Sequence, residues 1–327
     1  MKDKLFNKLC TMPQRELKEY LIKRLNMQSG DGYCFKQGTF PVLLTAHMDT
    51  VHKKQVSNIK YYTDKVSGKI IATSSVGIGG DDRCGIYMAL KILDKVDCSV
   101  LFCEDEEIGS VGAKKFVATE LCKSLKGKFK YIIELDRANS NDAVFYDDDN
   151  KEFHEFVTKE FFREDWGTWS DICTLSPVFE ISSVNLSCGY YRQHTANEYV
   201  VMEEMYRSIE ETIKLLKRTD LEKEPYKFVE VKYYPTYSGL YGYGRGRSYW
   251  DDDYESDYYR GWLTNTKKEK PTQKVEEEYV GLEVMLLGNK GEETVRSYGH
   301  SESEAWYNFF INNPDVCYND IIDYSIF

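Results

Sequence analysis

The sequence predicts an α/β protein with a three-layer, mostly parallel sheet and helices on both faces, followed by a flexible linker and a small C-terminal α+β module. Three observations predict it. Pro41 to Thr45, Cys98 to Cys103 and Lys130 to Leu135 are short, largely apolar runs of the kind that form strands buried on both faces. Segments of helical periodicity alternate with these runs, the signature of a sheet covered by helices on both sides. Beyond residue 219 the composition turns to tyrosine, glycine and acid, with few aliphatic residues to extend a core.

Taken in order, residues 2–26 place Leu5, Phe6, Leu9, Leu17, Tyr20, Leu21 and Leu25 at helical spacing, which predicts opening helices broken near Pro13. Gly32 to Phe35 and Pro41 to Thr45 read as strands, and Tyr61 to Thr63 with Lys69 to Thr73 as a hairpin across Ser67-Gly68. Then follow a helix at Gly85 to Leu93, the strand Cys98 to Cys103, a helix at Ala113 to Leu125 and the strand Lys130 to Leu135. A helix over 151–163, a strand at Val184 to Cys188 and an amphipathic helix from Val200 to Leu216 complete this catalytic-sized unit, residues 1–218. Residues 219–275 form an acidic, tyrosine-rich linker, its most flexible part at 233–275, and 276–327 the terminal module. That module reads as a hairpin, Tyr279 to Leu287 with Glu293 to Tyr298, and a helix at Glu302 to Asn312.

A chain of 327 residues with 42% hydrophobic and 14% aromatic content buries a sizeable core. Its net charge of −11 opposes a surface built for nucleic acid or anionic membrane, so neither is an expected partner. The basic Tyr-Gly-Arg-Gly-Arg stretch is offset by the acids at 251–257. The charged N-terminus lacks a signal-peptide core, and no window approaches the roughly 18 apolar residues of a membrane span, so a cytoplasmic protein is expected. Nine cysteines without a CxxC pair read as reduced core residues.

Five segments place chemistry-bearing side chains just past predicted strands, where open α/β sheets build their sites. In Leu43-Leu-Thr-Ala-His-Met-Asp49, His47 is followed by Asp49, either a metal ligand with its orienting carboxylate or a structural hydrogen-bonded pair. Gly77-Ile-Gly-Gly-Asp81-Asp82-Arg-Cys-Gly85 resembles a phosphate-cradling turn, but two carboxylates would repel an anion; metal bridging or a helix cap fits better. Glu104-Asp-Glu106-Glu107 puts four acids at the mouth of a buried strand, a crowding that calls for a cation. The strand ending at Asp136 and the loop His194-Thr-Ala-Asn-Glu198 complete the set.

The ordered set of His-x-Asp, Gly-Asp-Asp-Arg-x-Gly, Glu-Glu-x-Gly, strand-terminal Asp and His-Thr-x-Asn-Glu, over about residues 40–218, resembles the co-catalytic zinc exopeptidases. That superfamily contains peptidase T, the glutamate carboxypeptidases and the zinc aminopeptidases. The resemblance implies two zinc ions, with cobalt or manganese as substitutes: His47 and Asp136 on one, Glu107 and His194 on the other, and Asp81 bridging. It implies Asp49 as the partner of His47, Glu106 as general base and a cis peptide between Asp81 and Asp82. Trp166-Gly-Thr-Trp-Ser170-Asp171 resembles the family's Ser-Asp loop beside the site. Tyr191 and Arg192 either recognise a substrate carboxylate or steady the oxyanion, or are surface residues; with Ser170 and Asp171 they are the candidates for substrate binding.

Only 57 residues separate Asp136 from His194, too few for the dimerisation domain inserted there in the carboxypeptidase branch. The expected activity is cleavage of an amide bond in a short peptide or amino-acid conjugate. The alternatives are a deacylase or other amidohydrolase, or a binding protein that keeps the fold. The terminal module is expected to bind a protein partner or to self-associate.

Overall fold

The computed structural model describes residues 3–219, 224–231, 280–288, 291–299 and 321–326, and the chain divides into two compact units, Met1–Tyr234 and Pro235–Phe327. The first opens with α1 (Lys4–Thr11) and α2 (Gln14–Leu25). Asp3 caps α1 by accepting from the Leu5 and Phe6 N–H groups, each at 2.9 Å. Pro13 heads α2, where its missing N–H leaves no helical bond unmade.

The chain continues through β1 (Gln28–Gly30), β2 (Tyr33–Lys36), β3 (Phe40–His47), β4 (Lys60–Thr63), β5 (Ile70–Thr73), α3 (Gly80–Leu93) and β6 (Cys98–Cys103). Next come α4 (Val111–Val117), α5 (Glu120–Leu125), β7 (Tyr131–Arg137), β8 (Asp142–Val144), α6 (Lys151–Thr158) and β9 (Arg163–Asp165). Then α7 (Asp171–Phe179), β10 (Ser183–Ser187), β11 (Tyr190–Tyr191), β12 (Tyr199–Val201) and α8 (Met202–Lys217) close the unit.

Eight strands form the main sheet in the order β1-β2-β6-β3-β7-β10-β8-β9. Its centre, β6-β3-β7-β10, is parallel, and β2 and β8 flank it antiparallel. Because successive side chains point to opposite faces, Leu43, Leu101 and Ile132 pack under α4, α5 and α7 with Phe116, Leu125 and Phe179. Val42, Leu44, Val100, Phe102 and Ile133 face the other way, against Phe6, Leu17, Tyr87 and Leu215 of α1, α2, α3 and α8. The expected three layers follow from this alternation. A second, antiparallel sheet, β11-β12-β5-β4, joins the β4–β5 hairpin to the hairpin that carries His194.

Two expected helices differ. The run 113–125 is two helices, because the Thr119 hydroxyl accepts from the Cys122 N–H at 3.1 Å and starts a new one. The helix expected over 151–163 ends at Thr158; Phe162 is buried, and Arg163–Asp165 pairs with β8 at the sheet edge. Pro177 inside α7 concealed that helix. The first unit also runs past residue 218. Tyr226 is bonded through its backbone to Lys130 and Ser182, and Val229 and Val231 to Asp149 and Asp147.

In the second unit, β13 (Val280–Gly288), β14 (Gly291–Gly299) and β15 (Ile321–Ile326) form an antiparallel sheet with β13 central. The expected hairpin pairs Val284 with Val295. The expected linker at 233–275 and the helix at Glu302 to Asn312 lie outside the described residues. The eight described cysteines are free thiols, seven of them buried. No helix among the described residues is long and apolar enough to cross a membrane.

Gly85 marks the close crossing of α3 over β7. A Cβ there would lie 1.7 Å from the Leu135 carbonyl oxygen and 2.4 Å from Asp82 Oδ1. Gly85→Ala should therefore destabilise the chain by about 3 kcal/mol, the upper range for overpacking, in urea denaturation.

Candidate metal centre

Three parallel strands end side by side, and each delivers an acid or an imidazole at its C-terminal end. His47 is the last residue of β3, where it pairs in register with Cys103 at the end of β6, and Asp136 lies near the end of β7. Asp81 comes from the glycine-rich turn at the head of α3, and the peptide that joins it to Asp82 is cis. His194 arrives from the β11–β12 loop with φ of +63°.

These side chains converge. His47 Nε2 lies 2.9 Å from Asp81 Oδ1 and 3.3 Å from Asp136 Oδ1. His194 Nε2 lies 3.2 Å from Asp81 Oδ2 and 3.1 Å from Glu107 Oε2. Asp81 thus offers one oxygen to each imidazole. On the far side of the His47 ring, Nδ1 is 3.2 Å from Asp49 Oδ1. Asp49 also accepts the N–H groups of Glu106 and Glu107 at 3.0 and 3.1 Å, which fixes the acidic loop after β6 against the β3 terminus.

Electrostatics report the same crowding. Burial alone would depress the His47 pKa, yet Asp136, Asp49 and Asp81 raise it well above the usual value. Burial opposes the ionisation of Asp81, but hydrogen bonds from His194 and His47 hold it well below the usual carboxylate range. Burial pushes Asp136 up to about 7 against the pull of His47, and the Asp81 charge adds to it. Glu106 is pushed up to about 9 by burial, with His47 opposing and Asp136, Asp171 and Glu107 adding repulsion.

The residues fit divalent metal ions. Two imidazole nitrogens and three carboxylates gathered at one place form a donor set suited to zinc, and also to cobalt or manganese. Glu107 Oε1 is buried with no hydrogen-bond partner among the described residues, as expected of an oxygen reserved for a cation. His47 with Asp81 and Glu107, and His47 with Asp136 and Asp82, present ligand atoms within 4.8 Å of one another. Asp82 is spent on the protein, since its oxygens accept the N–H groups of His47 at 3.1 Å and Gly85 at 2.8 Å.

The Ser-Asp loop and the residues before His194 are placed around this cluster and beyond it. Ser170 is buried and donates to Asp136 Oδ2 at 3.1 Å. Asp171 lies fully buried at the first turn of α7, where burial pushes its pKa up to about 6 against the pull of His47. Tyr191 donates its hydroxyl to Glu204, and Arg192 is exposed. Sequence reading missed three supports. Asn185 on β10 accepts from the Asp136 N–H at 2.9 Å, the buried Arg83 donates to the Met48 carbonyl, and His52 meets Glu198. For His52 a signal existed: it is one of five histidines and sits five residues after His47.

No family model matches the chain, and no curated protein matches it. The fold is shared with a TET aminopeptidase from a marine sediment archaeon of the Thaumarchaeota, at TM-score 0.50 and 13% identity, over 67% of this chain and 97% of that one. The aminopeptidase PepT of Bacillus cereus superposes at TM-score 0.49 with 16% identity, over 65% of this chain and 96% of that chain. A tripeptidase from Staphylococcus aureus superposes at 0.43 with 14% identity and the same coverage. The class defined by fold and site is an α/β protein with a cluster of carboxylates and imidazoles, able to hold metal, at the ends of its parallel strands.

If Asp81 is shared, the five candidate ligands would serve two ions. Purified protein should carry about two zinc ions per chain by mass spectrometry, and His47→Ala or His194→Ala should lower that count. An unchanged metal content in both variants would refute the ligand set.

Proposed function

We propose that the chain is a two-zinc hydrolase that cleaves an amide bond in a short peptide or amino-acid conjugate, most simply by removing a terminal residue. The observation that carries this reading is the placement of Asp81 between His47 and His194, with Glu107 and Asp136 on its two sides and Glu106 held next to Glu107. His47 and Asp136 would hold one ion and Glu107 and His194 the other. Two such ions supply Lewis-acid activation of a water and of the scissile carbonyl.

The protein's own groups supply the rest. Asp49 holds the His47 ring so that Nε2 faces Asp81 and Asp136, and its second oxygen fixes the Glu107 backbone. Ser170 and Tyr190 steady Asp136, with Tyr190 donating to its carbonyl at 3.0 Å. Glu106, whose buried setting raises its affinity for a proton, takes one from the attacking water and returns it to the departing amine. The fold shared with an aminopeptidase favours a peptide over another amide. An amidohydrolase or deacylase uses the same residues on a different acyl group.

The rim of the site suits an apolar side chain. Of the seven exposed large apolar residues among those described, Val51, Ile108, Trp166 and Trp169 lie in loops that carry or touch the ligands, so apolar surface concentrates where substrate would enter. Trp169 Nε1 donates to Ser110 at 2.9 Å, which joins the loop after β6 to the loop whose Ser170 donates to Asp136.

Two outcomes are expected. Glu106→Gln should keep two metals and lose roughly 10²–10⁴-fold in kcat, the range for removal of a general base; loss of metal in that variant would contradict the division of roles with Glu107. Leucyl and phenylalanyl amides should be turned over with kcat/KM at least about tenfold above glycyl amides, and Trp166→Ala should narrow the ratio.

A further inference from the structure

We propose that His52 and Glu198 form a positioning pair that sets the spacing of the metal centre by tying the His194 loop to the backbone of Asp81. The inference rests on the two-metal reading. Glu198 is fully buried, four residues after His194, and among the described residues its carboxylate hydrogen-bonds to segments that carry candidate ligands. Its Oε1 accepts the Asp81 N–H at 3.0 Å. Its Oε2 accepts the Gly79 N–H at 2.7 Å and lies 2.6 Å from His52 Nε2. His52 belongs to the loop that begins with His47 and Asp49, so the pair joins the segments 47–52, 79–81 and 194–198 at one buried point.

The glycine-rich turn is shaped to this pair. Gly77 has φ of +81°, and a Cβ there would fall 2.1 Å from His52 Cε1 and 2.4 Å from its Nε2. The Gly77 N–H meanwhile donates to the Ala196 carbonyl in the His194 loop at 3.1 Å. The absent side chain thus makes room for an imidazole ring rather than for a phosphate.

The two ends of the centre depend on the pair unequally. His47 is 1% exposed, lies on a central strand and is independently held by Asp49. The His194 side chain is 48% exposed on a hairpin loop, and Glu198 links that loop to Asp81. Loss of the pair should loosen the Glu107–His194 side and leave the His47–Asp136 side intact. A merely structural role would weaken both sides together with the fold.

The test is a chelator titration of the zinc-loaded full-length chain, with released zinc measured together with the melting temperature. In Glu198→Gln the new amide NH2 must face either His52 or a backbone N–H. One of the two zinc ions should then leave at a chelator concentration at least about tenfold lower than in the wild type, within the range for supports of metal ligands, while the other leaves at the wild-type concentration. His52→Ala should behave the same way, and His52→Gln, whose amide N–H still reaches Glu198, should recover most of the loss. If Glu198→Gln does not fold, the two His52 variants decide alone. Wild-type release of both ions from the folded variants would overturn the inference, as would parallel weakening of both ions with a lowered melting temperature. A wild-type chain that takes up no zinc would overturn the two-metal reading and the inference with it.

Discussion

The constraint on which the first unit depends is that carboxylates from separate segments must lie within a few ångströms of one another and stay partly ionised. Asp81, Asp136 and Glu107 repel one another in a setting that excludes water, a cost met only by opposite charge close at hand. His47 and His194 supply part of it from the protein side. Around them donors are committed to these acids and their neighbours: Ser170 to the Asp136 carboxylate, Tyr190 and the Asn185 amide to the Asp136 carbonyl, the Glu106 and Glu107 amides to Asp49, and the Gly79 and Asp81 amides to Glu198. The parallel sheet serves this arrangement because β3, β6 and β7 end at one level and put His47, the acidic loop and Asp136 side by side.

Much of this was legible because the relevant signals are local. The strand Cys98 to Cys103 shows its burial in its own residues, and the four acids after it need only proximity to one another to signal a cation. The break between α4 and α5 was not read, although Thr119 is a plain cap, because the apolar residues on either side keep helical spacing across it. Arg163–Asp165 looks polar and helical by sequence yet joins β8, a pairing set by tertiary position. Residues 224–231 carry Tyr226, Phe228, Val229 and Val231, but they follow a change in composition at 219, and their backbone bonds to Lys130, Ser182 and Asp147 are set by tertiary position. Of the site, the candidate ligands appear in the sequence as motifs, whereas what Asn185 and Arg83 hold, and that His52 meets Glu198, is decided only by the fold.

The short stretch between Asp136 and His194 is filled by β8, α6, β9, α7, β10 and β11, all within the first unit. The exposed Trp166 and Ile108 stand on loops of that unit.

The second sheet gives the centre a mechanical character. His47 and Asp136 stand on the eight-stranded sheet, whereas His194 hangs from β11-β12, which the β4–β5 hairpin backs edge to edge. An ion pair bound across Asp81 would therefore rivet two sheets that otherwise meet through loops and helix packing. The amide protons of β5 and β12, which belong to no ligand, would then exchange with solvent at a rate governed by whether that rivet is in place.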